Sequence, residues 1–66
     1  MDLQEFRSMH LLNQHEAARL LGVPIGTYRN WEKGRREPSA PALRIAKYYS
    51  FLDMVAPELA RQLLDL

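Results

Sequence analysis

A chain of 66 residues is expected to form one domain near the lower size limit for independent folding, with roughly 60% of its unfolded surface buriable and no room for a second, ligand-sensing domain. Its composition, 47% apolar and 26% charged, is that of a globular protein and excludes a wholly disordered chain. Cysteine is absent, which excludes disulfides and thiolate metal sites, and no apolar run reaches the ~20 residues of a membrane span, so a cytoplasmic protein is expected.

The net charge of +1 conceals an uneven distribution. Residues 1–28 carry −1 (two basic, three acidic), 29–47 carry +4 (six basic, two acidic) and 48–66 carry −2 (one basic, three acidic). Positive charge gathered in the middle of the chain is the electrostatic footprint of a phosphate-contacting face.

In chain order, Asp2 and Glu5 are spaced as a helix cap and its third-position partner, and Leu3, Phe6 and Met9 follow at threefold spacing, which predicts a first helix over about 2–10. Asn13 is placed to cap a second helix whose buried side is Ala17, Ala18, Leu20 and Leu21. Gly22 ends that helix where a left-handed backbone is favoured. Val23 anchors the turn, and Pro24 suits the first position of a third helix over about 24–33, in which Tyr28 and Trp31 face inward. Gly34 stops it, and the charged segment Arg35–Pro38 forms a loop. Ser39 caps a fourth helix that tolerates Pro41 in its first turn and carries Leu43, Ile45, Ala46, Tyr49 and Leu52 to about Met54. Ala56-Pro57 breaks it, and residues 58–65 form a fifth. The expectation is an all-α, compact bundle of about five short helices.

Residues 14–34 thus read as two short amphipathic helices joined at Gly22, the second followed at once by basic residues, which is how a DNA-reading helix-turn-helix is written. A recognition helix reads base edges with its outward N-terminal half. On that half Arg29 suits guanine O6 and N7, Asn30 pairs bidentately with adenine, and Ile25 presses on a thymine methyl. Gly26 has no side chain and reads nothing. Thr27, Lys33, Arg35 and Arg36 form the expected phosphate set, and Glu32 is expected to orient Arg29 or Arg36 through an ion pair.

Over residues 11–49 the chain resembles the lambda-repressor-like, Cro-type (Xre) helix-turn-helix family. The likeness is carried by Leu12-Asn13-Gln14, Ala18, Gly22-Val23, Trp31-Glu32-Lys33-Gly34, Pro38-Ser39 and Leu43-Arg44-Ile45-Ala46. It implies sequence-specific binding of double-stranded DNA, sets Gln14 against a DNA phosphate and assigns Trp31 to the core. Many family members have polar residues where this chain has Pro24, Ile25 and Gly26, which shifts the expected base reading toward Arg29 and Asn30.

From Tyr48 onward the chain is unusually apolar for so small a domain, and Tyr48, Phe51, Leu52, Val55, Leu59 and Leu63 are the expected homodimer interface. A dimeric repressor or autoregulator on a palindromic operator is therefore the favoured function. The alternatives are an antitoxin whose apolar tail binds a toxin, a phage-encoded autoregulator, and, in another class, a protein-interaction module without DNA binding. No enzymatic activity, metal or cofactor is expected: His15-Glu16-Ala17-Ala18-Arg19 opens like a zinc-protease helix but has Arg where the second imidazole must stand.

Overall fold

The computed structural model describes all of residues 1–66 as five helices without a strand: α1 (Leu3–Met9), α2 (Gln14–Leu21), α3 (Ile25–Glu32), α4 (Ala40–Val55) and α5 (Pro57–Leu64). Three starts are capped by the residues the sequence offers. The Asp2 carboxylate accepts the N–H groups of Gln4 and Glu5 at 2.8 and 3.4 Å. Asn13 and Glu16 cap each other's backbone N–H at 2.8 and 2.9 Å, and the Ser39 hydroxyl accepts from Ala42 at 3.3 Å.

Pro24 departs from expectation. Its φ of −61° is helical but its ψ of 151° is extended, so it stands just outside α3 as the cap residue, its carbonyl accepting the Tyr28 N–H at 3.1 Å. Pro57, by contrast, occupies the first position of α5, one residue earlier than expected.

Helices α1, α2 and α3 end in the same hydrogen-bonded loop. In α2, Gly22 N–H donates to the Arg19 carbonyl (3.1 Å) and Val23 N–H to Ala18 (3.0 Å). Gly34 and Arg35 close α3 likewise onto Trp31 (3.2 Å) and Asn30 (3.0 Å). Leu11 and Leu12 close α1 onto Ser8 (3.2 Å) and Arg7 (2.9 Å).

The core joins α2 to α3, α4 and α5, α4 to α5, and α1 to α3. Its buried residues include Leu3, Phe6, Leu12, Leu21, Tyr28 and Tyr49, with alanines 17 and 18 of α2, 42 and 46 of α4 and 60 of α5. Methyl side chains at these facing positions let the helix axes approach closely.

Two apolar positions fall elsewhere than expected. Leu20 is only half-buried, lying along an open groove with Ile45, Leu63 and Leu64. Met9 is 74% exposed, because a threefold step lags the helical repeat by about 60° and the second step has left the inner face. His10, seven residues from Leu3, takes that seat. Its Nδ1 lies 2.6 Å from the Asp53 carboxylate and its Nε2 3.0 Å from the Ser50 hydroxyl, and its ring packs 5.0 Å from Phe6 and 5.5 Å from Tyr49. This histidine ties the end of α1 to α4.

Candidate nucleic-acid interface

The orientation of α3 follows from what its inner side buries. Tyr28 is completely buried and its hydroxyl donates to the Leu3 carbonyl at 3.3 Å, while Trp31 packs half-buried against the core. Gly26, Arg29, Asn30 and Lys33, each three or four residues from two of the others, share the remaining arc. Arg29 and Lys33 are exposed, Asn30 and Thr27 half-buried. Ile25 is half-buried against the core, so only part of its side chain faces outward.

Beyond α3, Gly34 at φ +78° turns the chain into a loop that holds Arg35 and Arg36 in solvent. The carboxylates that meet a basic side chain are Glu32, held by Arg7, and Asp53, which lies against the His10 ring. Arg29, Lys33, Arg35 and Arg36 are therefore cations without a paired carboxylate, and the charge of this face is available to an external anion.

Glu32 does not pair with Arg29 or Arg36 as expected. It falls four residues after Tyr28, on the inner side of α3, and its side chain is only 2% exposed. Arg7 of α1 donates to it through Nε (2.8 Å to Oε2) and Nη2 (3.3 Å to Oε1), and Gln14 Nε2 donates to Oε1 at 2.9 Å. Burial acts to raise the carboxyl's pKa, but the hydrogen bonds from Arg7 and Gln14 and the charge of Arg7, with the Tyr28 hydroxyl nearby, together outweigh it and hold Glu32 below the ordinary carboxylate value. Burial, with Glu32 nearby, pushes the Tyr28 phenol well above its ordinary value.

Gln14 opens α2, and its side chain lies between the two helices of the motif. Its amide nitrogen serves Glu32, and its carbonyl oxygen accepts from Arg29 Nε at 3.1 Å. Because the caps Asn13 and Glu16 serve each other, the N–H groups of Gln14 and His15 are left at the open end of the helix, as the first N–H groups of any helix are. Neither Arg7 nor His10 stood out in the sequence, since their partners lie 25 and 43 residues away. His10 alone had a signal, the sevenfold interval from Leu3.

Tyr48, Phe51 and Val55 are exposed at three- and four-residue steps along α4, and Leu59 and Leu63 are exposed on α5. Leu52 is half-buried against the core. No helix is long and apolar enough to cross a membrane.

Two helices joined through a left-handed glycine, the second with a cationic outer face, define a helix-turn-helix domain. A helix-turn-helix family model matches residues 3–49, and the chain belongs to the lambda-repressor-like (Xre) helix-turn-helix family of DNA-binding transcription regulators. No curated protein and no solved structure matches it.

Proposed function

We propose that the chain is a small dimeric repressor that reads a palindromic operator with α3. The observation that carries this reading is the outer face of α3, where Arg29 and Asn30 stand beside the unpaired cations Lys33, Arg35 and Arg36. Arg29 and Asn30 contact base edges, and the outward part of Ile25 contacts a thymine methyl. Thr27, Lys33, Arg35, Arg36 and the N–H groups at the start of α2, beginning with Gln14, hold phosphates.

Residues 1–66 act as one DNA-binding domain whose part from Tyr48 onward also meets a second copy. Tyr48, Phe51, Val55 and Leu59 are 50–67% exposed, and covering them across a twofold axis stabilises by about 25 cal/mol per Å² before association costs. Two copies of α3 then enter successive major grooves about 34 Å apart. A dimer seated over a promoter represses by occupying it.

Selection from random duplexes, combined with sedimentation equilibrium at micromolar concentration, tests both halves. An inverted repeat and a mass of two chains are expected. A consensus without inverted symmetry, or a single-chain mass with and without DNA, overturns the dimeric operator complex.

A further inference from the structure

We infer that Gln14 is a positioning residue for base recognition: it holds Arg29 by its Nε edge, so that the two terminal amino groups of the guanidinium meet a guanine. This rests on the proposed reading of bases by Arg29 and adds the geometry by which that reading is made specific.

The inference starts at the interior. Glu32 is a carboxylate and only accepts hydrogen bonds, so the atom of Gln14 that stands 2.9 Å from its Oε1 must be the amide nitrogen. The amide has no freedom to turn over, because the reverse orientation would set two acceptors against each other. Its carbonyl oxygen is therefore committed to the opposite side, where it accepts from Arg29 Nε at 3.1 Å. Arg7 anchors the far end with two bonds to the same buried carboxylate. The order of donors and acceptors from Arg7 through Glu32 and Gln14 fixes that an acceptor faces Arg29, and the donor that meets it is Nε.

An exposed arginine carries donors on two usable edges, one formed by Nε with a terminal nitrogen and the other by the two terminal nitrogens. With Nε engaged, the end-on fork remains, and its paired donors match guanine O6 and N7. Gln14 thus acts through Arg29 and need not touch a base. Its own contact with DNA, to the phosphate proposed at the start of α2, is made by its backbone N–H.

The test measures binding of the full chain and its Arg29→Ala, Gln14→Ala, Gln14→Met and Gln14→Ala/Arg29→Ala variants on the selected duplex and on duplexes altered one base pair at a time. One further duplex carries 7-deazaguanine at the pair Arg29 reads. Arg29→Ala is expected to reduce discrimination at one G·C pair by about 5- to 150-fold. Both Gln14 variants should lose about twofold or more at that same pair, respond less to 7-deazaguanine than the parent, and add nothing in the Arg29→Ala background. Discrimination is a ratio of affinities, so a reduced folded fraction cancels, and Gln14→Met keeps the length of the side chain. If the Gln14 variants weaken every duplex by one factor and leave the ratios intact, positioning is overturned while base reading by Arg29 stands. If Arg29→Ala itself changes no ratio, the reading of bases by Arg29 falls, and the positioning role with it.

Discussion

Leu11 occupies at the end of α1 the left-handed position that Gly22 occupies at the end of α2. The φ angles are +57° and +75°, and the two loops make the same pair of hydrogen bonds. A side chain bearing Cβ costs about 1–2 kcal/mol in this region, whereas glycine adopts it freely.

Leu11→Gly should therefore stabilise the domain. Leu11 is 79% exposed, so little apolar burial is forfeited, and the greater freedom of glycine in the unfolded chain takes back about 0.4–1 kcal/mol. A net gain of about 0.5–1 kcal/mol corresponds to a rise of about 2–8 °C in Tm for a domain of this size. Thermal melting of the two proteins decides, and an unchanged or lower midpoint contradicts the strain assigned to Leu11.

Arg7→Ala should be among the most damaging single substitutions, because it leaves Glu32 ionised in a site where its side chain is only 2% exposed. Removing one partner of a buried pair costs about 3–5 kcal/mol, and a quarter-exposed Arg7 places the expected loss near 3 kcal/mol. The double substitution Arg7→Met with Glu32→Met buries no charge and should recover much of that loss. Urea unfolding of the three proteins gives the comparison. Equal destabilisation of single and double variants would mean that packing, not charge, is what Arg7 supplies.

The same pair gives stability an acid limb. The pKa of Glu32 is depressed on folding, so its contribution is complete above the ordinary carboxylate value of 4.5 and is lost as pH falls through the lower value of the folded state. Tyr28 acts in the opposite direction: its pKa is raised, and its contribution is complete below the ordinary phenol value of 10.0 and is lost as pH rises beyond it. Glu32→Gln should flatten the acid limb and Tyr28→Phe the alkaline one. Unfolding free energies measured across pH show whether each difference from the parent changes only on its own side.

The helix-turn-helix was legible in the sequence because its signals are local. Asn13, Glu16 and Gly22 act on backbone within five residues of themselves, and Tyr28 and Trp31 disclose the inner face of α3 by spacing alone. What was not legible depends on partners brought together by the fold. Glu32 sits beside Arg29 and Arg36 in the chain, yet rotation about α3 turns it inward to an arginine of α1. Met9 and His10 exchanged roles because spacing of three imitates an apolar face only for its first step. Gln14 lay in the expected place, but its amide bonds to two residues of α3 belong to the packing of one helix on another.

Asn30 and the pair Arg35 and Arg36 should fail in different ways when truncated. Asn30 stands on the outer arc of α3, and a bidentate contact to adenine carries sequence information, so Asn30→Ala should cost about 1–3 kcal/mol on the preferred site and flatten preference at one base pair per half-site. Arg35 and Arg36 are exposed in the loop after Gly34, where a guanidinium meets a phosphate that every sequence presents. Arg35→Ala or Arg36→Ala should weaken all duplexes alike and lower the salt slope by about one unit for each phosphate no longer neutralised, or about two per dimer. One titration series on preferred and scrambled duplexes at several salt concentrations separates these outcomes. Should Asn30→Ala weaken all duplexes by one factor, leaving the preferred-to-scrambled ratio and the salt slope intact, Asn30 belongs with the phosphate-binding residues as a neutral donor; should Arg35→Ala and Arg36→Ala both leave the slope unchanged, the loop after α3 lies off the DNA.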